Sequence, residues 1–167
     1  EDQALINRLG FNNHGAEVVK DRIKLDNNLG LLGINIGPNK DTDDRLNDYL
    51  IGLKTFYEVA DYITINISSP NTENLRNFHD ESKLQELLKC ISKEKNNLNS
   101  KIPIAVKISP DIHEDQINLI SEILLENEIK AIIVSNTSEA SRDMLSNIQR
   151  HQKGGLSGKP IHEKSNI

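Results

Sequence analysis

Four short apolar runs constrain this chain more than any other feature: Leu29 to Ile36, Tyr62 to Ile67, Ile102 to Ile108 and Ala131 to Ser135. Each is rich in β-branched residues, too short for a helix, and bounded by Gly, Pro, Ser or Asn, so each predicts a strand. The runs are near-continuously apolar instead of alternating, the pattern of strands covered on both faces of a parallel sheet. Helical spacings separate them. Leu46, Leu50, Leu53 and Tyr57 form one set, and Leu84, Leu87, Leu88 and Ile91 a second, behind a cap at Asp80. Ile117, Ile120 and Leu124 form a third, with Asp111 as its expected cap and Glu114 three residues on. The stretch from Gly15 to Asn27 is weaker, with Val19 and Ile23 on one face. Such an alternation of strand and helix predicts right-handed crossovers and a parallel sheet. No linker, low-complexity tract or further repeat interrupts it, so residues 1–167 are expected to form one unit.

Composition narrows the function classes. With 167 residues a sizeable core is feasible, although only 36% are hydrophobic and 4% aromatic. The net charge of -5 offers no counterion-release attraction to nucleic acid or to anionic lipid. No stretch approaches the roughly 20 apolar residues of a membrane span. The single cysteine, Cys90, excludes an internal disulfide, fits a reducing compartment, and falls on an apolar helix face as a packing residue. No signal peptide is visible, and Glu1 is not a start methionine; the chain is expected to begin inside a longer product. His14, His79, His113, His151 and His162 show no metal-ligand spacing and read as surface or capping residues.

Polar residues close each apolar run. Asn35 lies in GINIG, Asn66 in TINIS and Lys107 in AVKIS, and Asn136 ends the fourth run. In a parallel barrel the C-terminal strand ends converge on one mouth, where chemistry is found. These positions are therefore expected to make a ring of amides and one ammonium. Strand-end asparagines also cap turns, and a strand lysine can snorkel; the alignment of four such positions favours a ligand as the partner these groups need. After the second run comes Ser68-Ser69-Pro70-Asn71-Thr72, where Pro70 restricts Ser69 to extended conformations that can aim it at a ligand. The long polar stretch from Ser68 to His79 reads as a lid over the mouth. Gly154-Gly155-Leu156-Ser157-Gly158 reads either as backbone that approaches a ligand closely or as a flexible surface loop.

Taken together, these residues resemble the class 2, quinone-linked dihydroorotate dehydrogenases. Leu5 to Asn13 (LINRLGFNN) is similar to a substrate-side segment of that family, Gly33 to Thr42 (GINIGPNKDT) to its flavin-contact segment, and Ile65 to Arg76 (INISSPNTENLR) to its active-site loop. Ala105 to Pro110, Ser135 to Thr137 and Gly154 to Pro160 complete the series, which spans nearly the whole chain. Two departures stand out. Glu73-Asn74 replaces the family's Pro-Gly, which alters the expected turn but not the chemistry, and Ser138 replaces a second threonine after Asn-Thr.

The resemblance implies a (β/α)8 TIM barrel, of which about four central strand–helix units are present, and a bound flavin mononucleotide (FMN). It implies oxidation of dihydroorotate to orotate, with a quinone as acceptor, in pyrimidine (UMP) biosynthesis. Ser69 takes the place of the catalytic base, where class 1 relatives have cysteine. Asn7, Arg8, Leu9, Gly10, Phe11, Asn66, Asn71, Asn136 and Thr137 match substrate-side positions. Asn35, Asn66, Lys107, Ser135 and Gly158 match flavin contacts. No metal is implied. The family's membrane association, at the cytoplasmic face, runs through segments this chain lacks. The remaining barrel segments would come from elsewhere, in trans if need be, and the isolated chain is expected to be inactive. Two other readings stay open: a non-catalytic truncated fragment, and a Schiff-base aldolase of the same fold with Lys107 as nucleophile.

Overall fold

The computed structural model describes residues 1–25, 30–69, 78–140 and 142–166. Leu29 and the core of the Ser68-to-His79 stretch, including Pro70 and Asn71, lie outside the described residues.

Each apolar run holds a strand, shorter than the run itself: β2 (Gly33–Ile36), β3 (Tyr62–Asn66), β4 (Ile104–Lys107) and β5 (Ala131–Ile133). They form one parallel sheet in the order β2-β3-β4-β5, so chain order and spatial order coincide. The helices α1 (Ala16–Leu25), α2 (Arg45–Phe56), α3 (Glu81–Asn97) and α4 (Glu114–Glu126) alternate with them. Two further strands, β1 (Ala4–Asn7) and β6 (Gly155–Gly158), were not expected; they pair antiparallel as a separate ribbon. Mutual bonds between Ser138 and Leu156, of 2.9 and 2.8 Å, join this ribbon to the chain just beyond β5. A short helix, α5 (His162–Asn166), ends the described chain.

The sheet's two faces differ, which corrects the reading of its strands as uniformly apolar. Side chains alternate across a strand. On one face Ile36, Ile63, Ile65, Ile67, Ile104, Val106 and Ile108 form a single core with Tyr49, Leu53 and Phe56 of α2, Leu84, Leu87, Leu88 and Ile91 of α3, and Ile120, Ile123 and Leu124 of α4. The other face carries small or polar residues in register: Asn35 beside Thr64, Thr64 beside Ala105, Ala105 beside Ala131, and then Asn66 beside Lys107. The large aliphatic side chains of the core therefore lie on the helical side of the sheet. β5 has no helix of its own behind it among the described residues, and Ile132 within it and Val134 just beyond it stay 41% and 57% exposed. The outer edges of β2 and β5 are unpaired within the described sheet.

The expected caps are partly replaced. Asp80 does precede α3, without a side-chain cap bond. α4 starts after His113, whose N–H donates to Gln116 Oε1 at 3.2 Å, so Asp111 is not its cap. Ile117, expected on the buried face of α4, is exposed, and Ile123 takes its place in the core.

Candidate functional site

The upper ends of β3, β4 and β5 meet in one hydrogen-bonded cluster. Asn66 is 2% exposed, and its Oδ1 accepts from the N–H (3.1 Å) and the hydroxyl (2.9 Å) of Ser68. The same Ser68 hydroxyl accepts from Nδ2 of Asn136 at 2.9 Å. The backbone of Asn136 donates to the carbonyl of Ile108 at 3.0 Å, and its Oδ1 accepts from Thr137 N–H at 2.9 Å. Ser69 follows directly and is 5% exposed. Such a cluster satisfies most of its own polar groups, as buried groups require, and the amides are thereby fixed in orientation.

Lys107 stands beside Asn66 in register and is half-buried. Among the described residues no hydrogen bond or ion pair holds its ammonium, and burial lowers its pKa from the usual lysine value. An incompletely solvated cation on a polar sheet face is the place for an anionic or electron-rich ligand.

The expected ring of four strand-end groups is not a single tier. Asn66 and Asn136 are brought together through Ser68, with Lys107 alongside. Asn35 instead pairs with Thr64, two residues before Asn66 along β3, and is exposed. Ser135 shares a 2.9 Å hydroxyl contact with Ser165 in α5.

The substrate-side segment lies on β1 and beyond it. Asn7 ends β1 opposite Gly155; Arg8 is exposed and donates to the carbonyl of Lys153 at 3.0 Å. Leu9 is exposed, and Gly10 and Phe11 have φ of 66° and 60°. The double turn swings the Phe11 ring against Gly37 just beyond β2, so this segment does reach the strand ends. The glycine cluster has a structural task that neither of its two readings named. A Cβ at Gly154 would lie 2.3 Å from the Asn7 carbonyl oxygen, and one at Gly158 2.4 Å from that of Gln3, so both glycines let β6 close on the backbone of β1. Gly158 is exposed at the end of β6, paired with Ala4 of β1.

Three polar anchors escaped the sequence reading. His79 is buried, not on the surface: its Nε2 accepts from Ser109 N–H at 3.3 Å. Asp111 accepts from Ser138 Oγ (2.5 Å), Glu139 N–H (2.7 Å) and Lys164 Nζ (2.9 Å). Burial alone would raise its pKa, but the hydrogen bonds and the Lys164 charge outweigh that and hold it below the usual carboxylate value. Tyr49 donates to the carbonyl of Asn66 at 2.7 Å. The Asp of an Ile-Ser-Pro-Asp turn and a His among polar residues carry no mark of their partners; a Tyr at a core-facing helical position could have raised the question of where its hydroxyl goes.

A cleft of about 630 Å³ includes Arg142, Asp143, Arg150 and His151 in its lining and none of the strand-end residues. Its guanidinium groups are engaged by the chain itself. Arg142 donates to the carbonyls of Arg150, Gln152 and Gly154, and Arg150 to those of Asp143 and Leu145. That pattern braces a loop.

The comparisons concern the family and the fold. A family model described as dihydroorotate dehydrogenase matches residues 1–166. A dihydroorotate dehydrogenase (quinone) of Bartonella tribocorum is 44% identical over 171 aligned positions, covering 100% of this chain and 48% of the relative. One from Idiomarina loihiensis is 43% identical, covering 99% of this chain and 51% of the relative. The crystal structure of ligand-free DHODH from Eimeria tenella superposes with a TM-score of 0.91 at 33% identity, over 98% of this chain and 52% of that one. The same enzyme in complex with ferulenol gives 0.89 at 30% identity, over 99% of this chain and 54% of that one. The chain thus spans about half the length of the curated relatives it matches.

Proposed function

The chain belongs to the dihydroorotate dehydrogenase family, and on that premise we propose that it forms the substrate- and flavin-facing half of a quinone-linked enzyme that oxidises dihydroorotate to orotate in pyrimidine biosynthesis. The observation that carries the reading is the strand-end cluster: Asn66, Ser68 and Asn136 bonded together, Lys107 in register beside them, and Ser69 buried next to Ser68.

The residues present suit an FMN ring. Lys107 offers a half-buried ammonium that no described group neutralises, at the end of a sheet face carrying Asn35, Thr64 and Asn66. Ser135 and Gly158 are the further positions proposed to hold the cofactor. When bound, the flavin supplies the hydride acceptor for C6 of dihydroorotate. Ser69 takes the proton from C5 as its own hydroxyl proton passes on toward solvent along a hydrogen-bonded exit route. A serine hydroxyl is a weak base in water, and its burial supplies the dry, fixed site such a transfer needs. The amides of Asn7, Asn66, Asn71 and Asn136, with Thr137, orient the pyrimidine by hydrogen bonding. The 8–13 turn, with Arg8, Leu9, Gly10 and Phe11, closes the substrate side.

The sheet's open edges fit a barrel completed by further strands, in the same polypeptide or in trans. Among the described residues no helix is long and apolar enough to cross a membrane. The quinone acceptor and attachment to a membrane surface belong to the same proposal, through segments outside this chain.

The test is Ser69→Ala in the flavin-loaded protein expressed from its complete reading frame. The rate of flavin reduction by dihydroorotate should fall roughly 100-fold or more, the scale of losing a general base, while flavin content holds. Near-normal single-turnover reduction would sink the assignment.

A further inference from the structure

Residues 70–77 are flanked by two short stretches, Asn66–Ser69 before them and Phe78–His79 after, and one side chain touches both. Tyr49, in the second turn of α2, is wholly buried. Its hydroxyl donates to the Asn66 carbonyl at 2.7 Å, and its ring meets that of Phe78 edge-on, with centroids 5.7 Å apart and planes at 89°. A buried hydroxyl needs a partner. This one finds it at the end of β3 and not on its own helix. Burial also pushes its pKa far above the ordinary tyrosine value, so the phenol stays a donor across the working pH range.

The bond fixes more than a helix–strand contact. The Asn66 carbonyl sets the plane of the peptide that leads into Ile67, and the Asn66 side chain accepts both polar hydrogens of Ser68. Turning that peptide displaces Ser68, and with it Ser69. On the other flank, the Phe78 contact places the residue before His79, which is itself tied to Ser109, two residues beyond Lys107.

We propose that Tyr49 is a positioning residue for Ser69: its hydroxyl and its ring together set the separation of the two flanks and so the reach of the serine. The proposal rests on the reading of Ser69 as the proton acceptor. It differs from a plain packing role, which the ring alone would fill.

The test is Tyr49→Phe in the flavin-loaded protein expressed from its complete reading frame. The ring and the Phe78 contact remain, and only the donor is lost. The first-order rate of flavin reduction should fall about 10-fold, the scale of one misplaced hydrogen-bonded contact, with KM for dihydroorotate and flavin content close to the parent's. A second readout does not depend on turnover. In a Cys90→Ser background, Ser69→Cys places a thiol at the site, and its alkylation by iodoacetamide, followed by mass on the peptide that carries residue 69, should quicken about 3-fold or more when Tyr49→Phe is added, since reactivity follows exposure and thiolate character.

Slower reduction with faster alkylation supports the proposal. Faster alkylation with unchanged reduction supports the positioning role and removes instead the assignment of Ser69 as the base. Unchanged alkylation overturns the proposal, whatever the rate does. Should Tyr49→Phe fail to fold, Phe78→Leu loosens the other flank with the hydroxyl in place; it should shift both readouts the same way, and no shift in alkylation overturns the proposal equally.

Discussion

The side-chain amide of Asn136 donates to the hydroxyl of Ser68 across 2.9 Å, joining the chain beyond β5 to the chain beyond β3 over the end of the strand between them. The two residues are 68 positions apart in sequence. Neither could orient the other without the parallel sheet, which delivers consecutive strand ends to the same side. Asn136→Ala removes the donor and leaves Ser68 bonded to Asn66 alone. Losing a buried polar contact costs about 1–3 kcal/mol, so KM for dihydroorotate should rise about 10-fold or more with little change in flavin content. Steady-state kinetics with a dye acceptor measure it; an unaltered KM would place Asn136 outside the substrate site.

Lys107 sets function against stability. Burial lowers its folded pKa below the unfolded value of about 10.4. Between those two values the unfolded chain binds more protons than the folded one, so stability climbs as pH rises through that window. Lys107→Met should flatten this climb, raise the thermal midpoint of the flavin-free protein at neutral pH, and lower flavin content. Borohydride in the presence of substrate should trap no adduct on Lys107 in the parent. A lower midpoint in the variant, or a trapped adduct, would contradict the assignment.

Asp111 ties three segments together through Ser138, Glu139 and Lys164. Its folded pKa is depressed, so its contribution is fully present above the unfolded value of about 3.9 and disappears as pH falls through the folded one. Asp111→Ala should cost about 1–3 kcal/mol at neutral pH, or about 2–4 °C of melting temperature per kcal/mol. It should also remove part of the acid sensitivity below about pH 4. Thermal melts across pH would show this, and an unchanged acid limb would count against it.

Gly158 and Gly10 separate contact from conformation. Both have positive φ, 102° and 66°. A Cβ at Gly158 would also meet the Gln3 carbonyl oxygen at 2.4 Å and the Ala4 Cα at 3.0 Å, while one at Gly10 meets nothing within 4 Å. Gly10→Ala should therefore cost about 1 kcal/mol from the backbone alone, and Gly158→Ala about 2–3 kcal/mol or more. Amide exchange should quicken across Ala4–Asn7 in Gly158→Ala and leave the α3 amides as they were. Equal effects of the two changes would show that β1 and β6 do not need this close approach.

Local pattern by itself determined the order of the sheet strands and helices, because burial on one side of a strand or helix writes its period into neighbouring residues. The runs Ile63-Thr64-Ile65 and Ile104-Ala105-Val106 located β3 and β4, and the polar residues closing them marked the strand ends as the place for a site. The family motifs, held in order along the chain, pointed to the same place. What those runs could not say is that Thr64 and Ala105 face away from the helices; a small residue between two large ones leaves a both-sides-covered strand and an alternating one nearly alike. The β1–β6 ribbon was invisible for a different reason. ALIN and GLSG are too short and too weakly patterned to declare strands, and they pair only because the fold brings residues some 152 positions apart side by side. The same holds for Tyr49 with Asn66 and Phe78, His79 with Ser109, and Asp111 with Lys164. Each side chain was legible as a donor or acceptor, but its partner was chosen by tertiary packing, since a hydrogen bond depends on a distance and direction that only the assembled sheet and helices set.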